Sequence, residues 1–418
     1  MEAMVTRTRS RATSLIALLA VVLLLATACS DDSGDESSTE TTAAADSTTT
    51  TAVAVEDPPS ASPAASLRAD LTALFEEQVY LTGFTVQAAA AEGGDLEAPE
   101  AAATAVALVD SATELSEIVG AAYGTAEGTT FLEAWDAHQQ AFLDLAFGGG
   151  TTEAIDSARE EVIASFVDVD PEADFEAFDQ ALTDSDAELA TTVQDLAEAT
   201  EGAAVELRAA AEEMPAGALA LAEIIADHSA TEGEVDSPES ALRADLTGLM
   251  QESALLTTLA IAEAVEADGD AAAPGPAGVL AAIEENTDAL AALMEPDDVG
   301  GEASFVAVWG DHIDAFMGYT TALVDDDAEG IVANEEALVE FRDELGDLVA
   351  GSYPALTPEA VAEEMVPHTD SILAYADARV AEAAGAEPVE SAQLQRDAAL
   401  AMRLAARTFA GGLTAPTS

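Results

Sequence analysis

The chain has 418 residues and a formal net charge of -70, from 82 acidic and 12 basic side chains, and every basic residue is an arginine. That balance excludes nucleic acid as a partner, because binding it requires cationic contacts to phosphate, and it sets the body of the protein against anionic lipid surfaces. A single cysteine, Cys29, excludes disulfides within the chain as a source of stability.

In chain order, Arg7, Arg9 and Arg11 precede an apolar run from Leu15 to Leu25, which ends in Ala26-Thr27-Ala28-Cys29. A cationic start, a short apolar stretch and small residues before a cut are the parts of a secretory signal. The run falls short of the roughly twenty apolar residues that a spanning helix needs. With the lone cysteine directly after the small residues, residues 1–28 resemble a bacterial lipoprotein signal peptide. The resemblance implies that Cys29 becomes the first mature residue and receives an acyl group such as palmitate. Such an anchor holds an extracytoplasmic protein to the cell membrane by its lipid. Residues 29–61 are rich in Ser, Thr, Asp and Glu, with Thr48 to Thr51 in a row. They cannot bury enough surface to offset the entropy of ordering, and a disordered tether is expected there.

The acid excess past that point reads as a solvated surface adapted to high salt, whose self-repulsion salt screens. The melting temperature is expected to rise between low and molar NaCl, as a thermal scan at several salt concentrations would show; a flat or falling trend would refute it.

From residue 62 onward the sequence is rich in Ala, Leu and Glu, good helix formers, and alternating strand-like runs are absent. An all-α fold follows. The segment "SPAASLRADLTALFEEQ" from Ser62 returns as "SPESALRADLTGLMQES" from Ser237, 175 residues later. Trp135-x-x-His138 returns as Trp309-x-x-His312, and Ala181-Leu-Thr as Ala355-Leu-Thr, each at 174. This order of matches predicts two tandem antiparallel bundles, 62–229 and 237–414, with a linker at 230–236 and four principal helices in each. The first helix of each copy has a Ser N-cap, Ser62 or Ser237, with proline at its first position, and reaches Gly93 or Gly269. A second helix opens near Pro99 or Pro276. The Trp-x-x-His helix covers about 129–147 and 302–324, and a fourth about 152–166 and 328–350. A fifth starts after Thr183 or Thr357, and a last one covers 216–229 and 388–410.

On the third helix of each copy, Phe131, Trp135, His138, Phe142 and Leu145 share one stripe, as do Phe305, Trp309, His312, Phe316 and Tyr319. Val361, Met365, His368, Ile372 and Tyr375 form another. Both tryptophans read as packing residues. An inward histidine is ordinarily neutral and hydrogen-bonded in the core. The alternative is a transition-metal site. It would bring His312 and His368 together with Glu252, Asp311 or Glu364 as a carboxylate neighbour, and leave a poorer set at His138 with Gln78, Gln194 and Glu77. The helix order, Leu67-Arg68 and Leu242-Arg243 with Leu71 and Leu246, and the three inward histidines resemble uncharacterised bacterial helical-bundle repeat domains, which implies the same fold and such histidines as ligands. Arg68 and Arg243, at matching places, read as structural partners of carboxylates. His228 reads as a partner for a helix C-terminus.

No phosphate loop, Gly-x-Ser-x-Gly motif or cysteine nucleophile is present in the body of the sequence. The expected function is therefore non-catalytic: a surface-anchored binding or structural module. Cations or a protein are its expected partners, and metal handling is the alternative.

Overall fold

The computed structural model describes residues 58–200, 202–294, 304–386 and 389–415. Cys29, the expected signal segment and most of the expected tether lie outside the described residues; the disorder expected up to residue 61 is corrected at its end, where Pro59–Ala61 form a short 3-10 helix with Ser60 buried. The described part is all-helical, and residues Asp57–Ser418 form one compact unit. Among the described residues no helix is long and apolar enough to cross a membrane.

The first copy contributes α1 (Pro63–Ala91), α2 (Pro99–Tyr123), α3 (Thr125–Ala146), α4 (Thr152–Val167), α5 (Glu176–Ala197), α6 (Ala203–Glu212) and α7 (Met214–Ser229). The second contributes α8 (Pro238–Glu266), α9 (Pro274–Met294), α10 (Phe305–Val324), α11 (Ala328–Ser352), α12 (Pro358–Glu364), α13 (Val366–Ala383) and α14 (Val389–Leu413). The serine caps hold: Ser62 Oγ accepts from the amide of Ala65 at 3.2 Å and Ser237 Oγ from that of Ser240 at 3.1 Å. The fifth helix of the first copy departs from expectation. It starts at Glu176, and Thr183 lies inside it with its hydroxyl donating to the carbonyl of Asp179. Thr357 does cap α12, where Pro358 follows it, but Asp184 follows Thr183 and nothing there stops a helix from running through. The last helix is continuous in the second copy. In the first it breaks into α6 and α7 where Pro215 follows Met214.

The two copies meet along α1 and α8, 29 residues each. These helices lie side by side, roughly 44 Å long at the usual rise per residue, and are buried on nearly every face. Other helices pack around this pair, α2, α5, α6 and α7 on α1 and α9, α10, α13 and α14 on α8, with α14 also reaching α2, while α4, α11 and α12 pack on the outer helices. One continuous apolar core runs through both copies. Where α8 faces α1, a Cβ on Gly248 would stand 2.8 Å from the Glu76 carboxylate, so a larger residue there would displace that side chain.

Reciprocal contacts tie the copies together. Arg243 Nη1 donates to the carbonyl of Ser60 and to Ser66 Oγ, both at 2.8 Å, while Arg68 Nη1 donates to the carbonyl of Val235 at 3.2 Å. Ser60 and Val235 each stand two residues before a helix cap, so each arginine holds the entry of the other copy's long helix. The expected carboxylate pairing is therefore corrected: the direct bonds go to main-chain carbonyls and a hydroxyl. Carboxylates act at longer range and again across copies, Asp70 on Arg243 and Arg68 on Asp245.

Candidate functional site

Four groups of polar side chains lie inside this frame, and three of them contain the residues singled out from sequence. The first is the tryptophan-histidine helix of copy one. Trp135 is 2 % exposed, stacks on Phe75 and Phe131, and donates from Nε1 to Gln78 Oε1 at 3.3 Å. The expected grouping of His138 with Gln78, Gln194 and Glu77 is corrected, because its partner is Asp186. Its Nε2 lies 3.0 Å from Asp186 Oδ1, and Arg159 Nη1 donates to Asp186 Oδ2 at 3.2 Å. Gln194 is exposed. Asp186 carried a readable signal, because Leu182, Asp186, Leu189 and Val193 share one stripe of α5.

The second group is the corresponding region of copy two. Trp309 is fully buried, stacks on Phe305, and donates from Nε1 to Ser253 Oγ at 3.2 Å. His312 donates from Nδ1 to the carbonyl of Trp309 and stacks on Phe341, with ring centroids 4.3 Å apart. As expected, His368 is close by, with its ring centroid 6.1 Å from that of His312. The carboxylates are not: Asp311 is exposed, Glu364 accepts from Thr408 Oγ1, and Glu252 belongs to another cluster. Among the described residues no three His, Cys, Asp or Glu side chains are placed to hold a metal ion. Among the described residues His312 Nε2 has no hydrogen-bond partner. Burial, and then the neighbouring His368, press the His312 pKa well below its ordinary value, and burial brings His368 down to about 4.

This pair predicts an acid-sensitive step. Both imidazoles stay neutral in the fold, whereas the unfolded chain takes up protons below about pH 6.5. Their contribution to stability is complete above that pH and falls as pH drops towards about 4, by about 2–3 kcal/mol for His368 alone. Urea unfolding across that range should show a smaller pH dependence for His368→Leu than for the parent. Parallel curves would refute the assignment.

The third group is an ionic layer at the middle of α1 and α8. Glu77, fully buried, accepts from Ser111 Oγ at 2.5 Å and is ion-paired with Arg403, Nη2 at 2.9 Å, and Arg396, Nε at 3.5 Å. Its repeat counterpart Glu252 accepts from Asn286 Nδ2 at 2.7 Å and Tyr80 hydroxyl at 2.9 Å, with Arg208 Nε at 3.3 Å. In both cases the arginine comes from the last helical stretch of the opposite copy. Glu76 has no such partner. Burial, then Glu252 and Asp245, push its carboxyl well above the usual range, and Gln251 stands at the matching place in α8.

A group held neutral this way contributes stability that is present below its unfolded pKa of 4.5 and is lost as pH rises. Glu76→Gln should therefore stabilise the protein by about 1–2 kcal/mol near neutrality, with the gain shrinking towards pH 4. Denaturant titrations at both pH values test this, and an equal effect at the two would refute it.

The fourth group was not found from sequence. A cavity of about 380 Å³ lies where the C-terminal parts of α1 and α8 meet the starts of α2 and α9, α13, α14 and the α5–α6 turn. Phe84, Gln87, Glu100, Glu263, Glu266, Tyr375 and Arg379 line it. Gln87 Nε2 donates to Glu263 at 3.0 Å, and Arg379 pairs with Glu100 and, at 3.0 Å, with Glu382. Burial pushes Tyr375 up to about 12, and its hydroxyl makes no hydrogen bond among the described residues. Burial, followed by neighbouring Glu263, raises Glu266. No sequence stripe pointed here, because the lining comes from seven separate stretches of chain.

His228 lies in the last turn of α7 as expected, with Nδ1 3.1 Å from Asp170 Oδ2. No family model, curated protein or solved structure matches this chain.

Proposed function

We propose that the chain is a membrane-anchored extracytoplasmic lipoprotein whose duplicated helical bundles form a non-catalytic binding module. The observation that carries the binding part is the cavity to which both copies contribute. The buried ion pairs of Glu77 with Arg403 and of Glu252 with Arg208 join one copy to the other, which suits a scaffold around a ligand site rather than a reaction centre. The anchoring part rests on Arg7, Arg9, Arg11, the apolar run and Cys29. Growth of an expressing bacterium with an alkyne-tagged fatty acid tests it: label should enter the parent protein and be lost in Cys29→Ser. Unlabelled parent protein found free of membranes would overturn it.

A second reading, metal handling, is favoured by the approach of His312 to His368 with His312 Nε2 unpartnered. Two imidazoles suit copper better than zinc, which usually takes four protein ligands in a structural site. Metal analysis of untagged protein, with His312→Ala and His368→Ala in parallel, tests this reading. Stoichiometric metal lost in both variants supports it. Metal-free protein whose stability ignores added copper and zinc removes it.

A further inference from the structure

We propose that the cavity between the copies binds a small organic ammonium ion, held by the carboxylates of Glu263 and Glu266 against the rings of Phe84 and Tyr375. This deepens the binding reading above and rests on it.

Size is the first argument. About 380 Å³ lies within the range of small-molecule sites and is far more than a bare ion or a single water fills. Charge is the second. Glu100, Glu263 and Glu266 face one guanidinium, that of Arg379, which Glu100 and Glu382 already engage. An anionic ligand would meet a surplus of like charge, whereas an ammonium relieves the mutual repulsion of Glu263 and Glu266. Third, Tyr375 is 4 % exposed, lines the cavity, and has a hydroxyl free to accept from an N–H donor. Its ring and that of Phe84 supply faces for a cation, and such contacts strengthen when water is excluded.

The internal repeat gives an independent argument. Scaffold positions agree between the copies: Pro63 with Pro238, Arg68 with Arg243, Asp70 with Asp245, Glu77 with Glu252 and Pro99 with Pro274. At the same spacing the cavity carboxylates do not. Glu263 and Glu266 match Ala88 and Ala91, and Glu100 matches Gly275. Ala88 and Ala91 lie on α1 along the cavity wall, so at these two positions copy two supplies the carboxylates and copy one the space, while Glu100 adds a carboxylate from copy one.

Calorimetric titration of the full chain with 1,4-diaminobutane and tetramethylammonium tests the proposal, at about 0.5 M NaCl to screen diffuse association with the acidic surface. The expected result is saturable one-to-one binding. Glu266→Gln, at an exposed position, should weaken it by about 5–10-fold through loss of one charge partner, and Glu176→Gln, on a remote exposed face, should leave it unchanged. Ala262→Trp, which fills the cavity, should abolish it. Absence of saturable binding, or equal weakening by Glu176→Gln and Glu266→Gln, overturns the proposal. Butyrate and 1-butanol are titrated alongside. If either binds and Ala262→Trp abolishes that binding while the amines do not bind, the ammonium assignment falls and the binding module stands.

Discussion

Arg208→Met should lower the unfolding free energy by about 3–5 kcal/mol, since it strands a buried carboxylate. Arg208 is the cation beside Glu252, whose residue is 7 % exposed. Desolvation already raises the Glu252 pKa, and Arg208 heads the influences that oppose it. The remaining donors, Asn286 and Tyr80, are neutral and satisfy hydrogen bonds without supplying charge. Methionine keeps most of the volume of the side chain, so the loss reports charge rather than packing. A double-mutant cycle with Glu252→Gln separates the two: the double variant should recover more than half of the loss, because an uncharged amide tolerates the site. Urea unfolding of all four proteins gives the coupling energy. A single-variant loss under about 1 kcal/mol would mean that solvent reaches Glu252 and the layer is not a dry one.

Trp309→Ala should cost a comparable amount, about 3–5 kcal/mol, as usual for a buried tryptophan. Its ring is fully buried, parallel to Phe305 and edge-on to Phe341 and His312. The substitution opens a void and leaves Ser253 Oγ without its indole partner. Trp135→Ala should behave alike, since Gln78 plays the same part in copy one. Thermal or chemical unfolding checks both. A loss below about 1 kcal/mol would require the surrounding helices to collapse fully into the void.

Local features were the readable ones. Ser62-Pro63 and Ser237-Pro238 announce helix starts, because a cap depends on the neighbouring few residues alone. The stripes through Trp135, Trp309 and His368 gave the faces of three helices and brought His312 to His368. Glu252 was assigned to the wrong neighbours for a geometric reason. Successive residues on a helix point about 100° apart, so Ser253 meets Trp309 while Glu252 turns to Tyr80 and Asn286. The central position of α1 and α8 was hidden because helices buried all round carry no amphipathic signature. Glu77 in α1 looks like part of a solvated face until its distant partners Arg396 and Arg403 on α14 are known. The cavity was hidden for the same reason, being assembled from distant stretches.

The crossed arginines have a further meaning. Arg68 reaches Val235 and Arg243 reaches Ser60, and Glu77 and Glu252 likewise take arginines from the opposite copy. Residue i touching j while the equivalent of j touches the equivalent of i is the pattern of an isologous interface, the kind that closes a two-fold homodimer. Here it lies within one polypeptide, with residues 230–236 as the join. A dimer of single copies would come apart on dilution; the fused one associates with itself at a fixed effective concentration, whatever the concentration of the protein. Fusion also frees the two halves from having to be identical. A cavity on the dyad of a true homodimer would carry the same groups on both walls, whereas this one carries Glu263 and Glu266 on α8 opposite Ala88 and Ala91 on α1.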